Sequence, residues 1–150
     1  MLTDLYAGPL LEAAGSIPAA ATLPDADATA RRASRVCGSS VELDLKVRDG
    51  VVADIATRVK ACALGQAAVS MFDRAVRGAA PDAVRQVRDQ VSAMLREGGP
   101  VPTGERWAEL AKLAPVAEYP ARQASVMLVF DAAVAALDEI ASRGAEGRDG

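Results

Sequence analysis

The sequence contains no histidine, and this absence excludes several kinds of site at once. Ser-His and Cys-His catalytic pairs need an imidazole, and so do most catalytic zinc sites. Only two cysteines are present. Two thiols cannot complete a four-ligand zinc site unless carboxylates, hydroxyls, water or a second subunit contribute. The two thiols are therefore the first candidates for chemistry, either alone or with ligands from outside the chain.

Aromatic residues are also scarce, with one Trp, two Tyr and two Phe in 150 residues, and the net charge is −3. The chain thus lacks both a stacking platform for bases and a basic footprint for phosphates, so we expect no nucleic acid partner. It has no run of eighteen apolar residues, and its first stretch, MLTDLYAGPLLEAAG, has no basic region. The sequence therefore predicts no membrane span and no export signal. We expect a cytoplasmic protein whose thiols stay reduced.

A β-hairpin is the clearest local pattern in the sequence. The stretch 41-VELDLKVR-48 alternates apolar and charged residues, which is typical of a strand with one side facing solvent. Asp49-Gly50 is typical of a type I′ turn. The alternating positions of the return strand are Val51, Ala53, Ile55, Thr57 and Val59. Residues 28–35 predict a third strand, and the sheet is expected to be covered on one side only.

Sequence patterns typical of helices precede and follow the predicted strands. Before it, residues 3–14 predict a short helix that Pro9 breaks or restarts, and residues 16–27 predict an extended connector. The apolar contacts of that helix are expected to be Leu5, Leu10 and Leu11.

After the sheet, a helix is predicted to start close to Cys62, and further helices begin at Pro81 and Pro120. A short segment around Trp107 separates them. The last helix is expected to reach about Ala141, followed by a disordered tail at residues 142–150. The predicted fold is α+β, a three-stranded antiparallel sheet packed on one face by about five helices, in a single domain over residues 1–150.

The two cysteines lie at the two ends of the predicted hairpin. Cys37 stands beside Gly38 before the first strand, and Cys62 follows the second strand. Because the open ends of a hairpin lie side by side, the two cysteines are expected to be close in space. Cys62 also directly precedes a helix, whose N-terminal N–H groups favour a thiolate. The alternative is that both are buried cysteines that pack as small apolar side chains.

Three stretches of the sequence carry a family resemblance: Cys37-Gly38, 61-ACALGQAAVSMF-72 and 120-PARQASVMLVFDAAVAAL-137. Together they resemble the IscU/NifU/SufU-type iron–sulfur cluster assembly scaffolds. Cys37-Gly38, before an alternating strand, resembles the family's Asn-Pro-x-Cys-Gly-Asp loop. The stretch 61-ACALGQAAVSMF-72 is similar to its Gly-x-Gly-Cys-(Ala/Ser)-Ile-Ser-x-Ala-Ser-(Ala/Ser)-Met-Met segment. The stretch 120-PARQASVMLVFDAAVAAL-137 is similar to its Pro-x-Arg-x-x-Cys-x-x-Leu-x-Trp-x-Ala-Leu helix. The likeness covers most of the chain, and the long helical stretch after Cys62 is closer to the SufU branch.

The resemblance implies a ligand set of three cysteines and one aspartate, and here the matching positions are Cys37, Ser39, Cys62 and Ser125. A serine hydroxyl is a poor ligand for soft iron–sulfur centres, so the retained ligands are Cys37 and Cys62. Arg122 precedes Ser125 by one helical turn and is expected to face the same pocket.

Three functions stay open on this basis. The first is an assembly scaffold that binds iron, zinc or a transient iron–sulfur cluster through Cys37 and Cys62, completed by a partner or by a second copy in a homodimer. The second is a protein that accepts persulfide sulfur from a cysteine desulfurase on Cys37 or Cys62 and passes it on. The third is a regulatory protein without a metal, switched by a Cys37–Cys62 disulfide. The expected partners are a cysteine desulfurase and iron–sulfur assembly or acceptor proteins, and an enzymatic activity is not expected.

Overall fold

A computed structural model of the chain describes residues 8–35 and 38–149. The three strands form one antiparallel sheet in the order β1-β2-β3, and five helical elements accompany it within these residues, which confirms the predicted α+β class. In chain order the elements are α1 (Pro9–Gly15), β1 (Ala28–Ala33), β2 (Ser40–Arg48), β3 (Val51–Lys60), α2 (Ala63–Val76), α3 (Pro81–Glu97), a 3-10 segment (Glu105–Glu118) and α4 (Pro120–Asp149).

The hairpin between β2 and β3 turns at Asp49 and Gly50, as the sequence predicts. Their φ angles are 55° and 77°, in the left-handed region that both central residues of a type I′ turn require. The alternation in β2 is also confirmed, because Val41, Leu43 and Leu45 are fully buried. The turn therefore fixes the pairing that brings the start of β2 beside the end of β3.

Strand β3 carries one extra residue, Ala53, relative to β2. Such a bulge shifts the side-chain phase by one position. Val52 is accordingly buried, whereas Val51 is half-buried and Ala53 is exposed. The alternation inferred from the sequence is therefore wrong at Val51 and Ala53, and it is confirmed at Ile55 and Thr57, which are buried.

Thr57 buries a hydroxyl that has no hydrogen-bond partner in the described structure. Its side chain is on the core face of β3, opposite Leu43 of β2. Because an unpaired buried hydroxyl is unfavourable, we expect Thr57→Val, which keeps the shape, to raise the free energy of unfolding by about 1 kcal/mol. Urea denaturation measures this change. As the matched control, Thr29→Val removes a hydroxyl that donates to Asp44 and should lower stability. A Thr57→Val protein less stable than the wild type contradicts the prediction.

The connector at residues 16–27, which we call the strap, crosses the outer face of the sheet. The N–H of Ala21 donates to the Thr57 carbonyl of β3 at 3.3 Å, and the N–H of Leu23 donates to the Asp44 carboxylate of β2 at 3.0 Å. The strap then leads into β1. Asp44 is only 4% exposed, although its place in the alternation predicts a solvent-facing side chain. The expectation that only one side of the sheet is covered is therefore wrong at the strap.

Arg58 of β3 holds the strap against the sheet. Its Nη2 donates to Asp44 at 2.8 Å, its Nε donates to Glu42 at 2.7 Å, and its Nη1 donates to the Ala21 carbonyl at 2.8 Å. The hydrogen bonds from Arg58 lower the pKa of Asp44 from its ordinary 3.8 to about 2, against the opposing effect of burial. The Arg58–Asp44 ion pair, together with the bond from Arg58 to Ala21, thus holds the strap against the outer face of the sheet.

The lowered pKa of Asp44 predicts an acid-sensitive contribution to stability. Because the folded-state pKa lies below the unfolded value, the contribution is complete above about pH 4 and is lost as the pH falls towards about 2. The shift corresponds to about 2 kcal/mol. We expect Asp44→Asn to be less stable than the wild type by about this amount near neutral pH, with the difference shrinking towards about pH 2. Urea denaturation at several pH values measures it, and a difference that does not change with pH contradicts it.

Helix α4 lies at the centre of the fold. It contacts β1 and β2 on one side and α2 and α3 on the other. Residues 125–130 are buried without interruption, as expected for a helix that is apolar all round. The ring of Phe130 meets Phe72 of α2 edge-on, with centroids 5.4 Å apart. No helix within the two described ranges combines the length and the apolar character needed to cross a bilayer.

Two helix boundaries refine the sequence predictions. Helix α1 begins at Pro9 and buries Leu10, but Leu11 is 55% exposed, so the predicted contact through Leu11 is wrong. Leu5 lies outside the described residues. Helix α4 continues past Ala141 to Asp149. An Arg143–Glu139 pair one turn apart supports this extension. The disorder predicted for residues 142–150 and the single-domain organisation stay predictions.

Candidate functional site

Three of the four positions that the resemblance identifies as ligands converge in space. Ser39 directly precedes β2, Cys62 is the N-cap of α2, and Ser125 lies in the second turn of α4. The Cys62 Sγ lies 3.4 Å from the Ser125 Oγ, and the Ser125 hydroxyl donates to the Ser39 Oγ at 3.4 Å. Since 63 and 86 positions separate these pairs along the chain, only the tertiary fold unites them.

Cys37, the fourth position, lies outside the described residues. Two backbone hydrogen bonds join described residues that precede and follow it in the sequence. The N–H of Ser34 donates to the Ser39 carbonyl at 2.8 Å, and the N–H of Gly38 donates to the Ser34 carbonyl at 3.0 Å. Gly38 has a φ of 70°, a conformation that suits glycine. The distance between Cys37 and Cys62 stays a prediction.

Cys62 is a free, half-buried thiol at the junction of β3 and α2. The register pairs Lys60, the last residue of β3, with Ser40, the first residue of β2. Cys62 therefore lies at the same end of the hairpin as Ser39. The Cys62 carbonyl accepts the first intrahelical bond from the N–H of Gln66 at 3.0 Å. The first turn of α2 contains no acidic residue. The sulfur therefore lies at the positive end of the helix dipole.

Gly65 allows α2 to approach α4 at Ser125. A Cβ at position 65 would lie 2.7 Å from the Ser125 Oγ and 2.8 Å from the Cβ of Ala61, both too close for real contacts. Sequence reasoning missed this residue. The available signal was a glycine inside the first turns of a helix, where it costs about 1 kcal/mol relative to alanine and so suggests a close approach.

Gln123 anchors the start of α4, and sequence reasoning missed it as well. Its side-chain Nε2 donates to the carbonyl of Leu95 at 2.8 Å and to that of Ala117 at 3.2 Å. These bonds tie α4 to the end of α3 and to the 3-10 segment, which fixes the position of Ser125. Arg122 is half-buried one turn before Ser125. Its orientation towards the other site residues stays a prediction.

The ligand chemistry of the site is limited. Among the described residues there is no group of three or more His, Cys, Asp or Glu side chains that could hold a metal ion. The converging groups are one sulfur and two hydroxyl oxygens, and neutral hydroxyls bind iron–sulfur centres poorly. Even with Cys37 included, the chain offers only two thiols, so a cluster that takes four thiolates would need the other two from outside the chain.

Comparison with known proteins gives one family match. The sequence model of the family described as NifU-like N-terminal domain matches residues 3–126. No curated protein shows significant sequence similarity to the chain.

Solved structures extend the comparison to the three-dimensional fold. The crystal structure of a nitrogen-fixing NifU-like protein (N-terminal) from Brucella abortus is 45% identical, covers 94% of this chain and 97% of that chain, and has a TM-score of 0.90. A structure named for an iron–sulfur cluster assembly scaffold of the SUF system, from Fervidobacterium islandicum AW-1, is 16% identical, covers 89% of this chain and 97% of that one, and has a TM-score of 0.81. The second likeness concerns the fold alone. Both structures confirm the predicted architecture.

Proposed function

Since the chain belongs to the NifU-like N-terminal domain family, we propose that it acts as a scaffold-like protein in cytoplasmic iron–sulfur cluster assembly. Cys37 and Cys62 bind iron or a nascent cluster, which is the cargo of the protein. The observation that carries this proposal is the convergence of Ser39, Cys62 and Ser125, each at a position where the resemblance implies a ligand.

The remaining ligands come from outside the chain in this proposal. A [2Fe–2S] cluster takes four thiolates, and two copies of this chain or one copy with a thiol-bearing partner would provide them. A cysteine desulfurase supplies the sulfur, and an acceptor protein receives the cluster. The half-buried position of Cys62 supports exchange with a partner, because the residue packs against the core without being fully enclosed by it.

Anaerobic reconstitution with ferrous iron and sulfide tests this function. We expect visible absorption of a cluster, with matching amounts of iron and acid-labile sulfide, in the wild type alone or with a thiol-bearing partner. Cys37→Ser and Cys62→Ser should each abolish it, whereas Ser92→Ala on α3 is a matched control that should not. If the wild type gives no cluster absorption under either condition, the proposal is wrong.

A sulfur-transfer role is the second candidate, and the hydroxyl neighbours of Cys62 favour it. A thiol beside two neutral hydroxyls is a poor metal site, but persulfide transfer needs only one accessible sulfur. The Cys62 thiolate attacks the terminal sulfur of the desulfurase persulfide. The donor S–S bond breaks, a new S–S bond forms on Cys62, and the donor leaves as a thiolate. Mass spectrometry after incubation with desulfurase and cysteine should show a gain of one sulfur atom on Cys62 or on Cys37, and a protein unmodified at both cysteines excludes this role.

A further inference from the structure

The two edges of the sheet, β1 and β3, differ in how the chain covers them. The N–H of Val52 in β3 donates to the Ala79 carbonyl at 2.9 Å, and the Arg77 side chain donates to the Ile55 carbonyl at 3.2 Å. An N–H of the strap also donates to a carbonyl of β3. Other parts of the chain therefore bond to the β3 edge at three points along the strand.

Half of the backbone groups of β1 point away from the sheet. In an antiparallel ladder, alternate residues direct both their N–H and C=O groups at the neighbouring strand, and the residues between them direct theirs outwards. The N–H of Ser34 donates to the Ser39 carbonyl within the β1–β2 register, so the even-numbered residues of β1 bond to β2. The outward groups belong to the odd-numbered residues, which are Thr29, Arg31 and Ala33.

These outward groups leave the β1 edge open. Within residues 8–35 and 38–149, the backbone N–H groups of Thr29, Arg31 and Ala33 have no hydrogen-bond partner. The Arg31 carbonyl accepts a bond from the side chain of its neighbour Arg32 at 2.9 Å. The side chains of all four residues are exposed. An exposed row of unpaired backbone groups is a template for an added strand.

The open edge is also basic. Residues 28–35 contain Arg31, Arg32 and Arg35 and no acid, whereas the whole chain has a net charge of −3. The three arginines are exposed, and none of them forms a salt bridge with any residue that the structure describes. The edge is therefore opposite in sign to the protein as a whole.

Two acids lie near this edge, and each interacts with other arginines. Glu42 is opposite Arg31 in the register, but its carboxylate accepts a hydrogen bond from Arg58 at 2.7 Å. Burial raises the pKa of Asp131 on α4, and its interactions with three arginines oppose that rise. These arginines are Arg88, Arg96 and Arg32. The positive charge along β1 thus exceeds the negative charge near it.

A second copy of the chain fits this edge poorly. If two β1 edges paired, Arg31 and Arg32 of one copy would lie beside the same residues of the other. Like charges on adjacent strands are destabilising, and charged side chains on an edge strand oppose self-association. A strand with carboxylates would instead meet opposite charges. The charge of the edge therefore favours an acidic occupant.

The open edge leads directly to the candidate site. The bond from the Ser34 N–H to the Ser39 carbonyl, at 2.8 Å, lies at the end of β1. The Ser39 hydroxyl accepts a hydrogen bond from Ser125, whose oxygen lies 3.4 Å from the Cys62 sulfur. A strand that pairs with β1 would therefore end beside the residues that converge at the site.

From the open edge, its charge and its position, we infer that β1 is the docking strand for an acidic, extended segment of a partner protein. The segment, of roughly six residues, pairs with β1 and adds a strand to the sheet. Backbone bonds to Thr29, Arg31 and Ala33 hold it, and carboxylates beside the arginines select it. The inference goes beyond the scaffold function, because docking on β1 requires no cargo.

A fluorescein-labelled synthetic peptide, EVEVEVE, is the probe for this edge. Fluorescence anisotropy with the metal-free protein measures its dissociation constant over a series of ionic strengths. We expect binding that weakens with added salt. The peptide KVKVKVK should bind about tenfold more weakly or not at all, because its charge is reversed. The peptide EVEPEVE should also bind about tenfold more weakly, because its proline lacks the N–H that strand pairing uses.

Two pairs of protein variants separate backbone pairing from charge attraction. Ala33→Pro removes one outward N–H but keeps the arginines and the bonds to β2, and it should weaken peptide binding about fivefold. Ala33→Val, its matched control, keeps the N–H and should bind as the wild type does. Arg31→Gln/Arg32→Gln should weaken binding about tenfold and remove most of its salt dependence. Arg77→Gln/Lys112→Gln removes the same charge beside β3 and in the 3-10 segment and should have no such effect.

Amide hydrogen exchange, followed by NMR, locates the bound peptide on the protein. The N–H groups of Thr29, Arg31 and Ala33 should exchange rapidly in the free protein and become protected when the peptide is added. Those of Ala30 and Arg32 already bond to β2 and should change little. This alternating pattern is specific to strand pairing.

Several outcomes would overturn the inference. They include an absence of peptide binding, binding that leaves the three outward N–H groups unprotected, and equal affinity of the Ala33→Pro and Ala33→Val proteins. Protection of the free protein that grows with its concentration would assign the edge to a second copy instead. None of these results affects the scaffold function, which reconstitution with iron and sulfide tests separately.

Discussion

Replacing both serines by the residues that the resemblance implies, Ser39→Asp with Ser125→Cys, is expected to raise zinc affinity by a factor on the order of 100 or more. The wild-type site has two thiols and two hydroxyls that bind metal poorly, whereas the double variant has three thiols and a carboxylate. The Ser125 Oγ lies beside Gly65, which has no side chain, and it already contacts both Cys62 and Ser39, so the introduced groups would lie next to the Cys62 thiol.

Competition with a chromophoric chelator measures that affinity. Ser92→Cys is the control, because it adds one thiol on α3 at none of the four ligand positions and should leave zinc affinity unchanged. Without metal the double variant should be less stable than the wild type, since Ser39 is 3% exposed and the introduced carboxylate is buried. Zinc should restore its melting temperature. If the double variant binds zinc no better than the wild type, the four positions do not form a ligand set.

Gly65→Ala is expected to lower the free energy of unfolding by about 2–3 kcal/mol. The added methyl group would meet the Ser125 Oγ at 2.7 Å and the Ala61 Cβ at 2.8 Å, so α2 must move away from α4. That movement separates Cys62 from Ser125, and we expect the reconstituted cluster to be lost faster than from the wild type. Urea denaturation and the decay of cluster absorption measure the two effects.

The matched control for this prediction is Gly15→Ala at the end of α1. A Cβ at position 15 would meet nothing within 4 Å, so this variant should be as stable as the wild type or slightly more stable. Adding Ser125→Ala to Gly65→Ala removes one of the two clashing atoms and should recover part of the lost stability. If the Gly65→Ala protein is destabilised but retains its cluster for as long as the wild type does, then Gly65 has only a packing role.

The hairpin was predictable because its signals are local. Alternation in β2 and the Asp49-Gly50 turn each depend on neighbouring residues, and both are confirmed. The bulge at Ala53 has no such signal, because an alanine fits either face of a strand. The burial of Asp44 could not be predicted from the sequence either. It depends on the strap, and nothing in the sequence of the strap indicates where it crosses the sheet.

The candidate site was predictable only in part. The resemblance identified Ser39, Cys62 and Ser125, and the structure brings these three together. Gly65 and Gln123 could not be identified from sequence, because each acts through a contact with another element. A glycine or a glutamine in a helix has many ordinary explanations, and only the approach of α4 to α2 and α3 distinguishes these two.

The central position of α4 has a consequence for biosynthesis. A ribosome makes this helix after the strands and the helices it packs against, and it emerges at roughly 5–20 residues per second. Until then the apolar face of β2 has no cover, and Cys62 has no Ser125 beside it. The core is therefore closed and Ser125 is brought to Cys62 in the same step, when α4 packs. A nascent chain that stalls before residue 120 would expose apolar core residues and a Cys62 thiol without Ser125 beside it, which makes it a substrate for chaperones.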